Sequence, residues 1–168
     1  MKKLLPILIL TPFFVVGCVQ PSSSNTLRAG VTTRVRMTAY THTEPGGIHN
    51  GCGGILTCKN VRSTASDWSW IPVGTRFKIL QTGDICQIDD YGSALVGRQT
   101  IDLYTPSRRA MREWGVRFVD IQILQWGSPG RSLEILSPRT KNSHVSRMVT
   151  QLRRQVGKVP QTFHKLDS

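Results

Sequence analysis

Short alternating segments, each bounded by turn residues, limit what this chain can fold into more than any other feature. Val35, Met37 and Ala39 fall on one face of the first segment, which has the two-residue period of a β-strand. Thr82-Gly83-Asp84, between two later segments, is a hairpin signal. We expect strands at the following residues: 34–41, 76–81, 85–90, 100–104 and 118–126. Many short strands within one small region predict a mainly β fold, a small closed barrel.

One short helix and one long loop are expected within the same region. Ser107 is suited to cap a helix that runs to Trp114, and Gly115 is suited to end it. Residues 42–66 are rich in Gly, Thr, Ser and Asn, a composition that is typical of a long loop.

The chain is strongly basic, and much of the charge lies at its C-terminal end. It has 22 Lys and Arg against 10 Asp and Glu, a net charge of +12, and such a chain is attracted to polyanions. Residues 128–168 form a basic extension in which Ser143 is suited to cap a helix with an apolar stripe: Val145, Met148, Val149, Leu152, Val156. We expect this helix to pack on the barrel. The alternative is a docking helix for an anionic glycan or lipid.

The N-terminus has the pattern of an export signal. Two lysines precede an apolar run from Leu4 to Val16, which is shorter than the roughly 20 residues that a membrane-spanning helix needs. The run ends at Gly17-Cys18, which resembles a bacterial lipoprotein signal whose cysteine is acylated. We predict a signal peptide over residues 1–17, a lipidated Cys18 and a tether over residues 18–33. An ordinary secretory signal is the alternative, and in either case export argues against nucleic acid as a partner.

Three further cysteines would then meet an oxidising compartment. Cys52 and Cys58 flank a glycine-rich loop and are nearest in sequence, so we expect a disulfide between them. A zinc site that includes His49 is the alternative, although no C-x-x-C spacing supports it. Cys86 lies in an apolar strand and is expected to be buried and unreactive.

Several acids stand where a strand should be apolar or where a turn begins. Asp102 lies between two aliphatic residues and shares its strand face with Tyr104. Asp89 and Asp90 end the preceding strand, and neighbouring strand residues point to opposite faces, so only one of them can share a groove with Asp102. Asp67 precedes a Pro-Val-Gly turn. The alternative for each is a turn former or a salt-bridged surface acid.

The order of these motifs resembles a known family. Along the chain the matching segments are Met37–Thr41, Asp67 with Ile71–Thr75, Asp90–Gly97, Ile101–Tyr104 and Trp114-Gly115. Together they resemble the three-aspartate, or 3D, domain, the catalytic core shared with the membrane-bound lytic transglycosylase A family. The resemblance implies a double-psi β-barrel over residues 34–127 with one or two short helices, and a groove that acts on peptidoglycan.

The resemblance also implies the chemistry, which is cleavage of the β-1,4 bond between N-acetylmuramic acid and N-acetylglucosamine to give 1,6-anhydromuramoyl products. By resemblance Asp102 is the acid and base, and Asp90 raises the pKa of Asp102 by like-charge repulsion. Asp67 is then the third member, which orients the other two or binds sugar. The implied substrate contacts are Tyr40, Thr38 and Tyr91. No metal and no cofactor are implied.

Two other functions remain open. A non-catalytic, expansin-like peptidoglycan-binding lipoprotein is favoured by departures from the family pattern at Tyr91, Ser93 and Val96. A structural lipoprotein that tethers membrane to wall would leave the aspartates unexplained. The expected partners are peptidoglycan strands and, through the lipid, a membrane, with the protein a monomer. We expect it in the cell envelope, facing the periplasm, at the outer rather than the inner membrane because Val19 follows Cys18.

Overall fold

The computed structural model describes residues 29–157, and the predicted signal peptide and Cys18 lie outside them. Within these residues the chain forms six strands and three α-helices. The strands are β1 (Thr32–Tyr40), β2 (Arg62–Ala65), β3 (Arg76–Ile79), β4 (Ile85–Asp90), β5 (Thr100–Tyr104) and β6 (Arg117–Gln125). The helices are α1 (Arg108–Trp114), α2 (Pro129–Leu136) and α3 (Ser143–Val156). Short 3₁₀ turns occur at Ser93–Leu95 and Ser137–Arg139.

The six strands close into one barrel in the order β1-β5-β2-β4-β3-β6. β5 lies between the consecutive strands β1 and β2, and β2 lies between the consecutive strands β4 and β5. The chain therefore makes two interlocked crossovers of the same form. The β1–β5 and β2–β4 pairs are parallel, and the remaining four pairs are antiparallel. This is the topology of a double-psi β-barrel, so the predicted fold class is confirmed.

The barrel interior is apolar and closed to solvent. Met37, Phe77 and Ile101, which point inward from three strands, have no exposed surface. The turn after β2 adds Trp68, which is also fully buried. Cys86 lies in this core, as expected. Because Met37 points inward, its strand neighbours point to the outside of the barrel, which is where the candidate site lies.

One strand and one helix were not predicted. β2 lies in the segment that was expected to be a loop, because its central residues are polar and show no apolar alternation. Ser63 and Thr64 are nevertheless buried, and their hydroxyls donate to Asp89 Oδ2 at 2.7 Å and to Gln87 O at 2.7 Å. Helix α2 lies in the C-terminal extension, where one helix was expected and two are found.

Strand β4 ends in a β-bulge. Thr64 pairs with Ile88 and Ala65 pairs with Asp90, so Asp89 has no opposite residue on β2. Such a bulge interrupts the alternation of faces. Only one member of the pair, Asp90, lines the groove, as expected, but the bulge rather than simple alternation sets where Asp89 lies.

Helix α1 has the predicted caps. The Ser107 side chain accepts a hydrogen bond from Ala110 N at 3.2 Å. Gly115 ends the helix with a φ of +62°, which glycine adopts without strain.

Helices α2 and α3, joined by the second 3₁₀ turn, form a C-terminal hairpin that packs on the barrel. Four residues of the predicted stripe are buried in the same core as the strands: Val145, Met148, Val149, Leu152. Packing on the barrel, rather than docking to a glycan or lipid, therefore accounts for this stripe. Val156 is exposed, and the residue before the helix is Asn142, so the expected cap by Ser143 is wrong. Within residues 29–157 no helix is both long and apolar enough to cross a membrane.

Candidate active site

A groove of about 410 Å³ opens on the outer face of the barrel, over strands β1, β5, β2 and β4. Outward side chains form its floor, and the segments 44–49 and 91–95 form its walls. Among the residues that line it are Tyr40, Glu44, Ala65, Asp90, Tyr91 and Asp102. The fold thus brings two of the three sequence-predicted aspartates into one groove.

Asp102 lies on β5, directly opposite Thr38 of the parallel strand β1. The Thr38 hydroxyl donates to Asp102 Oδ1 at 2.7 Å, so Thr38 supports the carboxyl. Burial, with smaller contributions from the charges of Glu44 and Asp90, raises the pKa of Asp102 to about 6, and the Thr38 bond opposes the rise. The expected repulsion by Asp90 is therefore a minor cause, and burial is the main one.

Asp90 at the end of β4 is held by three donors. Tyr40 OH donates to Oδ2 at 2.9 Å, and the backbone N–H groups of Gly51 and Tyr91 donate to Oδ1 at 2.8 and 2.9 Å. Burial raises the pKa of this carboxyl, and the same three bonds oppose the rise. Burial, followed by the charge of Asp90, raises the pKa of Tyr40, which keeps the phenol protonated as a donor. Asp90 is thus fixed in orientation, with both of its carboxylate oxygens hydrogen-bonded to the protein.

Aromatic side chains fix the segment that carries Gly51. Trp68 Nε1 donates to Asp90 O at 2.7 Å, and the Trp68 and Tyr91 rings meet edge to face at 5.0 Å. A Cβ atom on Gly51 would lie 2.7 Å from Tyr91 Cδ1 and 3.2 Å from the Trp68 ring. Only glycine fits at this position without moving an aromatic ring.

Asp67 does not line the groove. Its side chain is buried, and Oδ1 accepts hydrogen bonds from Ser69 N at 2.8 Å and Ser69 Oγ at 2.6 Å. Oδ2 accepts from Gly97 N at 2.7 Å. Asp67 therefore fastens the turn after β2 to the loop that carries the groove wall. Of the two roles expected for it, sugar binding is wrong, because the carboxylate does not reach the groove.

Asp89 has a structural position that sequence reasoning missed. Its Oδ2 accepts from Ser63 Oγ at 2.7 Å and from Asn50 Nδ2 at 3.0 Å, while Oδ1 is buried without a partner. Burial raises the pKa of Asp89 to about 6. Asn50 Oδ1 in turn accepts from Cys52 N and Gly54 N at 3.1 and 2.8 Å. Asp89 therefore holds the turn that presents Gly51 to Asp90.

Glu44 is the other site residue that was missed. It lines the groove, and its charge contributes to the raised pKa of Asp102. One signal was available, since Glu44 is the only acid in the polar segment 42–66.

The predicted disulfide is not formed. Cys52, Cys58 and Cys86 are free thiols. Cys52 lies close enough to Asp89, Asp90 and two arginines for their charges to act on its pKa, whereas Cys58 lies near Tyr104. The two exposed thiols therefore have different surroundings. Among residues 29–157 no three His, Cys, Asp or Glu side chains are grouped so that they could hold a metal ion, so the zinc alternative gains no support there.

The class of protein is defined by a double-psi barrel with a buried carboxyl of raised pKa in an outer groove. The family model of the 3D domain matches residues 62–125, from the start of β2 to the end of β6. The resemblance to this domain is confirmed over that range. Strand β1, the turn that carries Gly51 and the C-terminal hairpin lie outside the match.

Among solved structures, the crystal structure of apo Clavibacter michiganensis expansin is similar to this chain at 16% sequence identity and a TM-score of 0.38. The match covers 58% of this chain and 52% of the expansin chain, so the chain spans about half the length of that relative. No curated protein matches the sequence.

Proposed function

We propose that this protein is a peptidoglycan-acting enzyme, a lytic transglycosylase that cleaves the β-1,4 bond between N-acetylmuramic acid and N-acetylglucosamine. The observation that supports this most is the state of Asp102, a carboxyl whose pKa burial raises to about 6, on the floor of an open groove. A carboxyl with such a pKa can both give and take a proton near neutral pH. The match to the 3D domain supports the same proposal.

The reaction needs one such group. Asp102 donates its proton to the glycosidic oxygen, and the bond from that oxygen to the muramoyl C1 breaks. The C6 hydroxyl of the same sugar attacks C1, and Asp102, now a carboxylate, takes the hydroxyl proton. The product is a 1,6-anhydromuramoyl end, and Asp102 is protonated again. Intramolecular attack gains from a high effective concentration of the nucleophile.

The surroundings of Asp90 fit this single-carboxyl mechanism. A hydrolase needs a second carboxyl that is free to attack C1 or to activate water. Asp90 instead accepts three hydrogen bonds from the protein, so its oxygens are engaged. Its charge can stabilise the positive charge that develops at C1, which is a role that needs no proton transfer.

We also propose that the protein acts in the cell envelope, anchored by a lipid on Cys18 and facing the periplasm, at the outer membrane. This follows from the sequence pattern of residues 1–19 alone.

The test uses purified sacculi and three proteins, namely wild type, Asp102→Asn and the control Asp120→Asn. Asp120 lies on β6, outside the groove. Its carboxylate accepts a hydrogen bond from the exposed Gln81 side chain. Mass spectra of the released muropeptides should show 1,6-anhydro ends with wild type and Asp120→Asn, reduced at least about 10²-fold with Asp102→Asn. Co-sedimentation with sacculi should be unchanged in all three.

Two results would contradict the enzyme. Reducing ends without anhydro ends would identify a hydrolase. Binding of wild type to sacculi without any cleavage would favour the expansin-like, non-catalytic binder.

A further inference from the structure

We infer that Arg139, from the C-terminal hairpin, is a positioning residue. It orients the Asp90 carboxylate by holding the backbone of Gly51 through a hydrogen bond. This inference rests on the proposed function for its catalytic consequence, but its structural part does not. It assigns a role in the site to a segment that lies outside the region matching the 3D domain.

The contact is direct. Arg139 Nη1 donates to Gly51 O at 2.7 Å and lies 3.3 Å from Tyr91 OH, which it can also reach as a donor. Gly51 N donates to Asp90 Oδ1 at 2.8 Å. The backbone of Gly51 is thus held at its carbonyl by a cation and at its amide by the carboxylate of the groove. Hydrogen bonds from a charged donor are the stronger kind, so this grip restricts where the amide points.

Arg139 can do this because the hairpin itself is fixed to the barrel. Val73 N donates to Ser132 Oγ at 3.1 Å, and Gln155 Nε2 on α3 donates to Ser69 O at 2.7 Å. The Ser69 hydroxyl lies 2.5 Å from Gln151 Oε1 and 2.6 Å from Asp67 Oδ1, and its one proton is shared between these two acceptors. The hairpin therefore contacts two turns beside the groove, the Asp67 turn through α3 and the Gly51 turn through Arg139.

Among residues 29–157, no other hydrogen bond reaches the Gly51 carbonyl. Gly51 has no side chain that could pack and restrict its backbone, because a Cβ atom at this position would collide with the Tyr91 ring. Asn50 organises the turn through Cys52 N and Gly54 N but makes no bond to the Gly51 carbonyl. Gly53 N donates to Asn50 O at 2.9 Å and so also holds the peptide unit that carries the Gly51 amide. Arg139 acts from the following peptide unit, and without it the Gly51 amide loses the restraint on its carbonyl side.

The amide protons of Gly51 and Tyr91 give a direct measurement, because both donate to Asp90 Oδ1. In wild-type protein labelled with ¹⁵N, both amide resonances should titrate with the same midpoint as Asp90 ionises. In Arg139→Gln, the Gly51 amide should exchange with deuterium at least about tenfold faster, and its midpoint should move to higher pH, because a bond that stabilises the carboxylate is weakened. The Tyr91 amide, which is next to Asp90 in sequence, should keep its exchange rate.

The matched control is Arg147→Gln, which removes an exposed arginine from the same hairpin and should leave both amides unchanged. Arg139→Lys retains the charge with a single donor group and should restore part of the Gly51 protection. If Arg139→Gln does not fold, Gly51→Ala disturbs the same turn from the other side, because its Cβ collides with Tyr91. In Gly51→Ala the midpoint of the Tyr91 amide titration, which reports Asp90, should also move to higher pH.

Unchanged exchange and titration of Gly51 in a folded Arg139→Gln variant would overturn the inference, whether or not the protein cleaves glycan. On soluble glycan strands the inference predicts a lower kcat with KM nearly unchanged. A raised KM with unchanged kcat and unchanged amides would instead mean that Arg139 binds substrate directly, which would also overturn it.

Discussion

Thr38 and Asp102 face each other across the parallel β1–β5 pair, and the Thr38 hydroxyl donates to Asp102 Oδ1 at 2.7 Å. Strand register fixes this pair, since both side chains leave the same face of adjacent strands at the same level. The hydrogen bond favours the charged form of the carboxyl. Thr38 therefore tunes the group that the proposed reaction depends on, although it lies outside the region that matches the 3D domain.

The first prediction concerns that bond. Thr38→Val removes the donor and keeps the shape, so the pKa of Asp102 should rise. The alkaline limb of the profile of kcat/KM against pH, which reports loss of the protonated acid, should move to higher pH. The exposed Thr32 at the start of β1 provides the control, and Thr32→Val should leave the profile unchanged. A shift to lower pH in Thr38→Val would contradict the assignment.

The second prediction concerns the neighbouring negative charges. Glu44→Gln and Asp90→Asn each remove a charge that raises the pKa of Asp102. The protonated acid is then lost at lower pH, so the pH optimum should move downward in both variants. Asp90→Asn should also lose activity, because the Asp90 oxygens accept the hydrogen bonds that position Tyr40 and the Gly51 and Tyr91 amides. Glu113→Gln, on the exposed face of α1, is the control and should have the wild-type optimum.

A third prediction concerns stability. Folding raises the pKa of Asp102 from 3.8 to about 6, so this group stabilises the fold below about pH 4 and loses that contribution as the pH rises through 6. Asp102→Asn removes the cost of the buried charge. Its free energy of unfolding should exceed that of wild type by about 1–3 kcal/mol at pH 8, with little difference at pH 4. Denaturant unfolding at the two pH values measures this, and equal differences at both would contradict it.

A fourth prediction concerns Asp89, which lies outside the groove and holds the turn that carries Gly51. Asp89→Ala leaves Ser63 Oγ and Asn50 Nδ2 without their acceptor and should destabilise the protein by about 1–3 kcal/mol. It should also loosen the turn that carries Gly51, so activity should fall. Asp120→Asn serves as the control for the loss of an acid outside the groove. Wild-type stability and activity in Asp89→Ala would show that the bulge holds this turn without its side chain.

The fifth prediction concerns the anchor, which lies outside the described residues. Cys18→Ser should release the protein from the detergent-extracted fraction or leave it unprocessed. Mass spectrometry of wild type should show a chain that begins at an acylated Cys18. An intact signal sequence in wild type, or unchanged membrane association in the variant, would contradict the lipoprotein prediction.

Local sequence signals predicted those elements whose packing follows their pattern. The predicted bounds of β4 and β5 coincide with those observed, and Ser107 and Gly115 delimit α1 as expected. β2 was not predicted, because its buried residues Ser63 and Thr64 are polar and are stabilised by hydrogen bonds rather than by hydrophobic packing. No periodicity records such a strand.

The candidate site was predictable only in part for a similar reason. Asp102 and Asp90 stand out as acids in strands, but the bulge that buries Asp89 arises from pairing with β2, which the sequence does not reveal. The contact between Gly51 and Arg139 joins residues 88 positions apart. It depends on how the hairpin docks, and no local pattern reports that.

Ala65 has Asp90 opposite it on β4 and Asp102 opposite it on β5. The two acids are therefore separated by two strand spacings, about 10 Å between their backbones. Hydrogen bonding between strands sets this distance, so the distance does not depend on the length or sequence of the loops. The surrounding loops can change in length or sequence and reshape the groove for other glycans. The spacing of the acids would change only if a strand were added to or lost from the barrel, so substrate choice and reaction geometry are free to evolve separately.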